Sequence, residues 1–344
     1  MNVTQLIDTA NAMMIEGKGL LAMDESNPTC NKRFAALGIA QTPEARRIYR
    51  DLIVTTPGLG DFISGAILFD ETLRQQTNAG ISFVDALKKA GIIPGIKVDM
   101  GARDMAGFPG EKVTEGLDGL RSRLVEYAAM GARFAKWRAV ITVGDGIPTQ
   151  ACIDANMHAL ARYAALCQDA GLVPMVEPEV LMDGSHTLDQ CLVATEKSQH
   201  ALFHQLYQMR VDLRGVILKP NMVLPGKQCP QQDNVDRVAD ATITCLLKHV
   251  PAAVPSVAFL SGGQSAELAS QRLNAMNVRF KGRLPWVLTF SYSRAIQQPA
   301  LELWRGQPAN ITSAQQALHH RASCNSAARR GVYNAAMEKG PGRS

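Results

Sequence analysis

Three pairs of charged residues recur at a spacing of two: Lys97 and Asp99, Lys136 and Arg138, Glu177 and Glu179. That spacing puts both members of a pair on one face of a β-strand. Lys219 ends the apolar run GVILKP, and Asp24-Glu25-Ser26 follow GLLAM; Ser261-Gly262-Gly263 and Ser291-Tyr292-Ser293-Arg294 follow two more apolar stretches. A lysine closing an apolar run is partly desolvated, which favours the neutral amine, and a second cation such as Lys136 would favour it further. A neutral amine can attack a ketone and form an imine. The protonated imine then withdraws electrons from the adjacent carbon–carbon bond, so the constellation suits retro-aldol chemistry. Such cleavage also needs a base for a hydroxyl and an acid to expel water. Glu177 and Glu179 could divide those roles, with Asp24 as a third carboxylate. In SGG the glycines expose backbone N–H groups, and Arg294 adds a guanidinium fork, a combination suited to phosphate.

The elements that would position these groups are legible as eight apolar runs: 19–24, 63–69, 92–98, 133–140, 172–178, 214–220, 254–260 and 284–290. They are rich in Val, Ile and Leu and mostly do not alternate, as strands buried on both faces of a parallel sheet do not. Helical periodicity separates them, for instance in LDGLRSRLVEYAAMGA and NVDRVADATITCLLKHV. Eight βα units predict an α/β fold, a (β/α)8 TIM barrel in a single domain. The open doubly wound sheet uses the same units, but no GxGxxG follows the first strand, which disfavours its dinucleotide-binding version. Polar residues at the C-terminal ends of barrel strands face the active site. One such residue alone reads as a solvated rim; convergence from seven strand ends reads as a site. SGG taken alone reads as a turn before a helix starting near Gln264 and capped by Ser261; with Arg294 beside it, it reads as a phosphate site. Asp70, ending the second strand, is placed at the barrel mouth without a role. Residues 1–18 and 308–337 read as helices flanking the barrel, so the domain is drawn as 1–337, with 338–344 a disordered tail.

The bulk properties bound the alternatives. The chain has 344 residues, 46% of them hydrophobic and 19% charged, with a net charge of +5, which is ordinary globular composition and only mildly basic. Its 7 cysteines are odd in number and form no CxxC, which argues for free thiols in a reducing compartment. The N-terminus lacks the apolar core of a signal peptide, and no apolar run approaches membrane-spanning length. The expectations are a cytoplasmic protein with no membrane and no nucleic-acid partner. His200 and His204 are four apart on a predicted helix but lack the HExxH glutamate, so they read as a solvated or core face. His319, His320, Arg321, Arg329 and Arg330 read as solvent-facing on a terminal helix.

The segments GKGLLAMDES, ISGAILFDETL, GIKVD, FAKWR, VEPEV, LKPNMVLPG, FLSGGQS and LTFSYSRAIQ together resemble the class I fructose-bisphosphate aldolases, in order from about residue 17 to about residue 337. VEPEV, LKPNM and SGGQS are specific in combination, none of them singly. The resemblance implies that Lys219 forms the Schiff base. It implies that Glu177 accepts and donates protons at the imine, with Glu179 and Lys136 as charged neighbours, and that Asp24 handles the hydroxyl proton. Ser261, Gly262, Gly263, Ser291 and Arg294 would form one phosphate site, while Ser26, Arg33, Lys97 and Arg138 would contact the rest of the sugar or its second phosphate. The implied partners are sugar phosphates and further copies of the chain, as a tetramer. No metal or other cofactor is implied.

Three departures from the family pattern stand out. Ser293 occupies a position where family members carry glycine. The loop NPTCNKR after Ser26 has Pro28 and Cys30 where small and apolar residues are usual, which leaves open a scope shifted toward sedoheptulose bisphosphate or fructose 1-phosphate. The last tyrosine is Tyr333, whereas many members end in a mobile tail with a terminal tyrosine; slower proton exchange on bound dihydroxyacetone phosphate is expected. A binding scaffold that keeps the barrel is a further alternative, against which the intact set Asp24, Lys136, Glu177 and Lys219 argues.

Overall fold

A computed structural model describes residues 3–339. Eight parallel strands close into a barrel: Gly19–Ala22, Ile63–Leu68, Ile93–Lys97, Phe134–Ile141, Val173–Val180, Ile217–Leu218, Ser256–Phe259 and Val287–Tyr292. Each pairs with its neighbours in sequence, and the last closes on the first through Leu20 opposite Ser291 and Leu21 opposite Tyr292. This is the predicted (β/α)8 barrel with flanking terminal helices. The sixth strand is shorter than RGVILKP suggested, because Leu213–Gly215 turns as a 3-10 helix before it. The eighth starts later than expected, at Val287, just after Trp286, whose indole N–H donates to the Pro251 carbonyl. An antiparallel pair, Ala102–Asp104 with Lys112–Thr114, follows the third strand and was not foreseen; its residues are short-run and largely polar, so no apolar pattern announces it.

Every residue of the second and fifth strands is buried, which is why their sequences lack alternation. Two cores result. Between strands and helices lies a large shell including Trp137, Tyr163 and Phe259. Inside the barrel, Leu20, Ile67, Phe134, Val173, Met175 and Ile217 pack with Leu6, Ala10 and Met13, so the helix Val3–Ala12 plugs the N-terminal end. Filling the narrow interior demands a small residue beside a large one. A Cβ on Gly95 would stand 2.3 Å from the Phe134 ring, so glycine is required there.

At the C-terminal end, the helix Ile311–Arg329 is followed by a 3-10 turn, Ala335–Lys339. Within the expected tail, Glu338 bonds Arg321 and accepts from the Tyr333 hydroxyl at 2.6 Å; residues 340–344 lie outside the described residues. Arg321 and Arg329 are buried rather than solvent-facing: Arg329 donates to the carbonyls of Met14 and Ile15, tying this helix to the N-terminal segment.

Candidate active site

The strand ends open into a cleft of ≈ 720 Å³ at the C-terminal mouth of the barrel. Asp24, Glu25 and Ser26 reach it from the first strand, Lys97 from the third, Lys136 and Arg138 from the fourth, Glu177 and Glu179 from the fifth, and Lys219 from the sixth. Ser261 and Gly262 follow the seventh strand, Ser291 lies on the eighth, and Ser293 and Arg294 come directly after it. Arg33 enters from the helix Asn27–Ala35. Gly263 is the one predicted residue that does not line the cleft itself, but its turn brings it beside Arg294. Asp70 lies elsewhere, bonded to Arg74 and the Tyr127 hydroxyl.

At the floor, Lys136, Glu177 and Lys219 are each only 3% exposed. Glu177 lies between the two ammonium groups, with Oε1 3.1 Å from Lys219 Nζ and Oε2 3.2 Å from Lys136 Nζ. Lys136 is thus the second cation near Lys219, with the Glu177 carboxylate between them. Its second partner is Asp24 Oδ2 at 2.7 Å. In register Arg138 is opposite Glu177 and Val140 opposite Glu179. The stagger of tilted strands carries the side chains back one step, so Lys136 meets Glu177 and Arg138 meets Glu179.

Burial at this depth opposes every charge, and mutual attraction overrides it. Desolvation pushes the Asp24 carboxyl up, but Lys136 and then Lys219 hold it far below the usual range. Glu177 is likewise raised by burial and brought down overall by Lys136, Lys219 and Arg138. Burial opposes the Lys136 ammonium, yet Asp24 and Glu177 hold its pKa well above the ordinary lysine value. The floor is thus an ionised cluster whose middle carboxylate can exchange a proton with the amine beside it.

The walls have a separate network. Lys97 donates to the Asp99 carboxylate at 2.6 Å and to its carbonyl at 2.8 Å, while Asp99 Oδ2 accepts the Arg138 N–H at 3.2 Å. Glu25, which composition and spacing left without a role, is a hub: its carboxylate bonds Arg33, lies 2.7 Å from Arg50 Nη1 and accepts from Ser293 Oγ at 2.9 Å. Its carboxyl is raised by burial but brought down by Arg50 and Arg33 to about 2. Arg50 sits on the helix Pro43–Val54, where it reads as one more residue of an amphipathic pattern.

The phosphate-type end is built from Gly262 and Gly263, with φ of 60° and 94°, in a turn closed by Gln264 N–H to the Ser261 carbonyl at 3.0 Å. The following helix begins at Ala266 and is capped by Ser265, not Ser261, so the SGG turn stands clear of the cap. The Ser291 hydroxyl is buried without a partner among the described residues and belongs to the same wall. Lys32 and Thr29 also line the cleft; Thr29 lies one helical turn before Arg33, so the helix period alone could have found it, and Lys32 adjoins Arg33 in sequence. Among the described residues, His320, Cys324 and Glu338 come within 4.8 Å of one another, far along the chain from this cleft and with Glu338 already taken by Arg321 and Tyr333.

The family model for fructose-bisphosphate aldolase class-I matches residues 5–343. A protein of Xanthomonas axonopodis pv. citri named probable fructose-bisphosphate aldolase class 1 is 55% identical over 334 residues, covering 97% of this chain and 99% of the relative. Cytosolic fructose-bisphosphate aldolase 4 of Arabidopsis thaliana is 48% identical over 340 residues, covering 99% and 86%. Among solved structures, a ternary complex of Plasmodium falciparum fructose-bisphosphate aldolase with TRAP and a small-molecule inhibitor superposes with a TM-score of 0.94 at 46% identity, covering 96% of both chains.

Proposed function

The chain belongs to the class-I fructose-bisphosphate aldolase family, a family of lyases, and from that premise we propose that it cleaves fructose 1,6-bisphosphate reversibly through an imine on Lys219. The products are dihydroxyacetone phosphate and glyceraldehyde 3-phosphate. The observation that carries this reading is the placement of Glu177 between two buried ammonium groups, one of them 3.1 Å away on Lys219.

Lys219 passes a proton to Glu177, and the freed amine attacks the substrate's C2 carbonyl. Glu177 then returns the proton to the carbinolamine hydroxyl, which leaves as water and gives the iminium ion. Asp24 takes the C4 hydroxyl proton as the C3–C4 bond breaks, and the bonding electrons enter the iminium to form an enamine. Lys219 is one of the charges that depress Asp24, so neutralising its nitrogen in the same step raises the basicity of Asp24 as it is needed. Lys136 holds both carboxylates in place, and Glu179 orients Arg138. Protonation of the enamine and hydrolysis of the imine release dihydroxyacetone phosphate.

Ser261, Gly262, Gly263, Ser291 and Arg294 take one phosphate in this reading; Ser26, Arg33, Lys97 and Arg138 take the rest of the sugar and its second phosphate. No described helix is long and apolar enough to cross a membrane. A cytoplasmic site of action is proposed by likeness to the cytosolic relative. A homotetramer is the proposed assembly, which sedimentation analysis would check.

Incubating the protein with fructose 1,6-bisphosphate and sodium borohydride, with and without EDTA, tests the mechanism. The expected result is a sugar-phosphate adduct mapped to Lys219 by mass spectrometry and undiminished by chelator. An absent adduct, or one on another lysine, overturns the assignment and leaves the scaffold reading in its place.

A further inference from the structure

A Cβ built on Gly263 would lie 3.0 Å from Arg294 Nη2 and also 3.0 Å from Lys227 Nζ. Two cations, one opening the helix Arg294–Trp304 and one in the loop after the sixth strand, thus converge above one glycine, no more than about 6 Å apart. Among the described residues Arg294 has no carboxylate in ion-pair range, while Lys227 has Asp183 at 3.0 Å, an acid whose own side chain is 68% exposed. An exposed pair of this kind stabilises little, so it does not explain the placement.

Lys227 is also held more firmly than a surface lysine. It follows the sixth strand in a loop clamped on residues 182–186: Lys227 N–H donates to the Met182 carbonyl at 2.7 Å, Gly226 N–H to His186 at 2.8 Å, and Gln228 N–H to Gly184 at 3.0 Å. The Gln228 side chain returns a bond by accepting Gly184 N–H at 2.7 Å. A Cβ at position 226 would stand 2.2 Å from the Gly184 carbonyl oxygen, so the clamp itself requires glycine. The N–H groups of Gly262 and Gly263, beneath the two cations, have no acceptor among the described residues. Unpaired backbone donors and two like charges converging on one turn form a cradle for a compact dianion. Burial, and then the nearby Arg33, hold Arg294 below the ordinary arginine value, an opposition that an arriving anion relieves.

We propose that Lys227 is a further substrate-binding residue, closing on the phosphate ester that the SGG turn and Arg294 receive. This rests on the reading of the cleft as a sugar-phosphate site, and it adds a residue from a loop outside the barrel's strand ends. Inorganic phosphate is the probe that separates the two claims, because its binding needs no turnover. Titrated calorimetrically at fixed ionic strength, phosphate should bind Lys227→Gln roughly fivefold to tenfold more weakly than the unaltered chain, and Lys227→Arg within about twofold of it. The KM for fructose 1,6-bisphosphate should rise by a similar factor in Lys227→Gln with kcat unchanged. Equal phosphate affinity in Lys227→Gln and the unaltered chain, or no phosphate binding at all, overturns the proposal. So does weakened phosphate binding with an unchanged KM, which places the contact outside the substrate's path. If the unaltered chain forms no adduct on Lys219 yet phosphate binding still depends on Lys227, the aldolase mechanism falls and the anion site stands.

Discussion

Glu177 Oε1 stands 3.1 Å from Lys219 Nζ across two neighbouring strands, at the closed floor of an otherwise open cleft. The pair is adjacent because the fifth and sixth strands are in register at Val176 and Leu218, one residue before each. A carboxylate so close to the amine can take its proton and return it without a diffusing water. Glu177→Gln should therefore lower kcat by roughly 100-fold to 1000-fold, the usual worth of a positioned acid–base group. Rapid-quench borohydride trapping should show slow formation of the Lys219 adduct; trapping at the unaltered rate would remove Glu177 from the imine step.

Lys136 supports two carboxylates at once, Asp24 at 2.7 Å and Glu177 at 3.2 Å. Lys136→Met would keep most of the volume but leave the buried Asp24 without its ion-pair partner and Glu177 with Lys219 alone, which costs about 3–5 kcal/mol. Urea denaturation at neutral pH is the measurement. The same variant should lose cleavage almost completely, and a protein of unchanged stability would show that the two carboxylates are not both ionised in the folded chain.

The strand ends were readable because buried parallel strands write unbroken Val and Ile runs, and because polar residues cannot end such runs inside the core. GVILKP and MVEPEV announce Lys219 and Glu177 in this way. Spacing of two shows that Lys136 and Arg138 share a face, but not which carboxylate each meets; that depends on strand stagger, which no local pattern encodes. Glu25 was visible as an acid after Asp24, whereas its partners Arg50 and Ser293 come from positions 25 and 268 residues away. Lys227 follows a strand by several residues in an irregular loop, where sequence carries no period to read.

Glu25 should give the protein a distinct acid dependence. Its folded carboxyl titrates at about 2 against an ordinary 4.5, with burial opposing and Arg50 and Arg33 favouring ionisation. A depressed carboxyl contributes stability that is complete above the unfolded value and lost as pH falls through the folded one. The contribution is about 3 kcal/mol, disappearing between roughly pH 5 and pH 2. Other depressed carboxylates titrate in the same range, so the quantity to measure is the stability difference between the unaltered chain and Glu25→Gln. That difference should shrink across this window; a gap independent of pH would mean that Glu25 is not the ionised hub of its network.

Ser293 links Arg294, its neighbour in sequence, to the Glu25–Arg33 pair. Its hydroxyl donates to Glu25 Oε1 at 2.9 Å, the same oxygen that holds Arg33. If Arg33 turns away to meet a second phosphate, Glu25 loses one partner and depends on Ser293 and on Arg50, whose Nη1 lies 2.7 Å from Oε2. Ser293→Gly removes the hydroxyl, leaving a buried carboxylate less satisfied whenever Arg33 departs. Releasing Arg33 then becomes harder, and the KM for fructose 1,6-bisphosphate should rise roughly fivefold, as expected for one hydrogen bond to a charged group. Fructose 1-phosphate has no second phosphate and makes no demand on Arg33, so its KM should stay within about twofold. Steady-state kinetics on both sugars decide the matter. A matching rise for both would locate the effect of Ser293 at the shared phosphate, beside Arg294, and not at the Glu25–Arg33 pair.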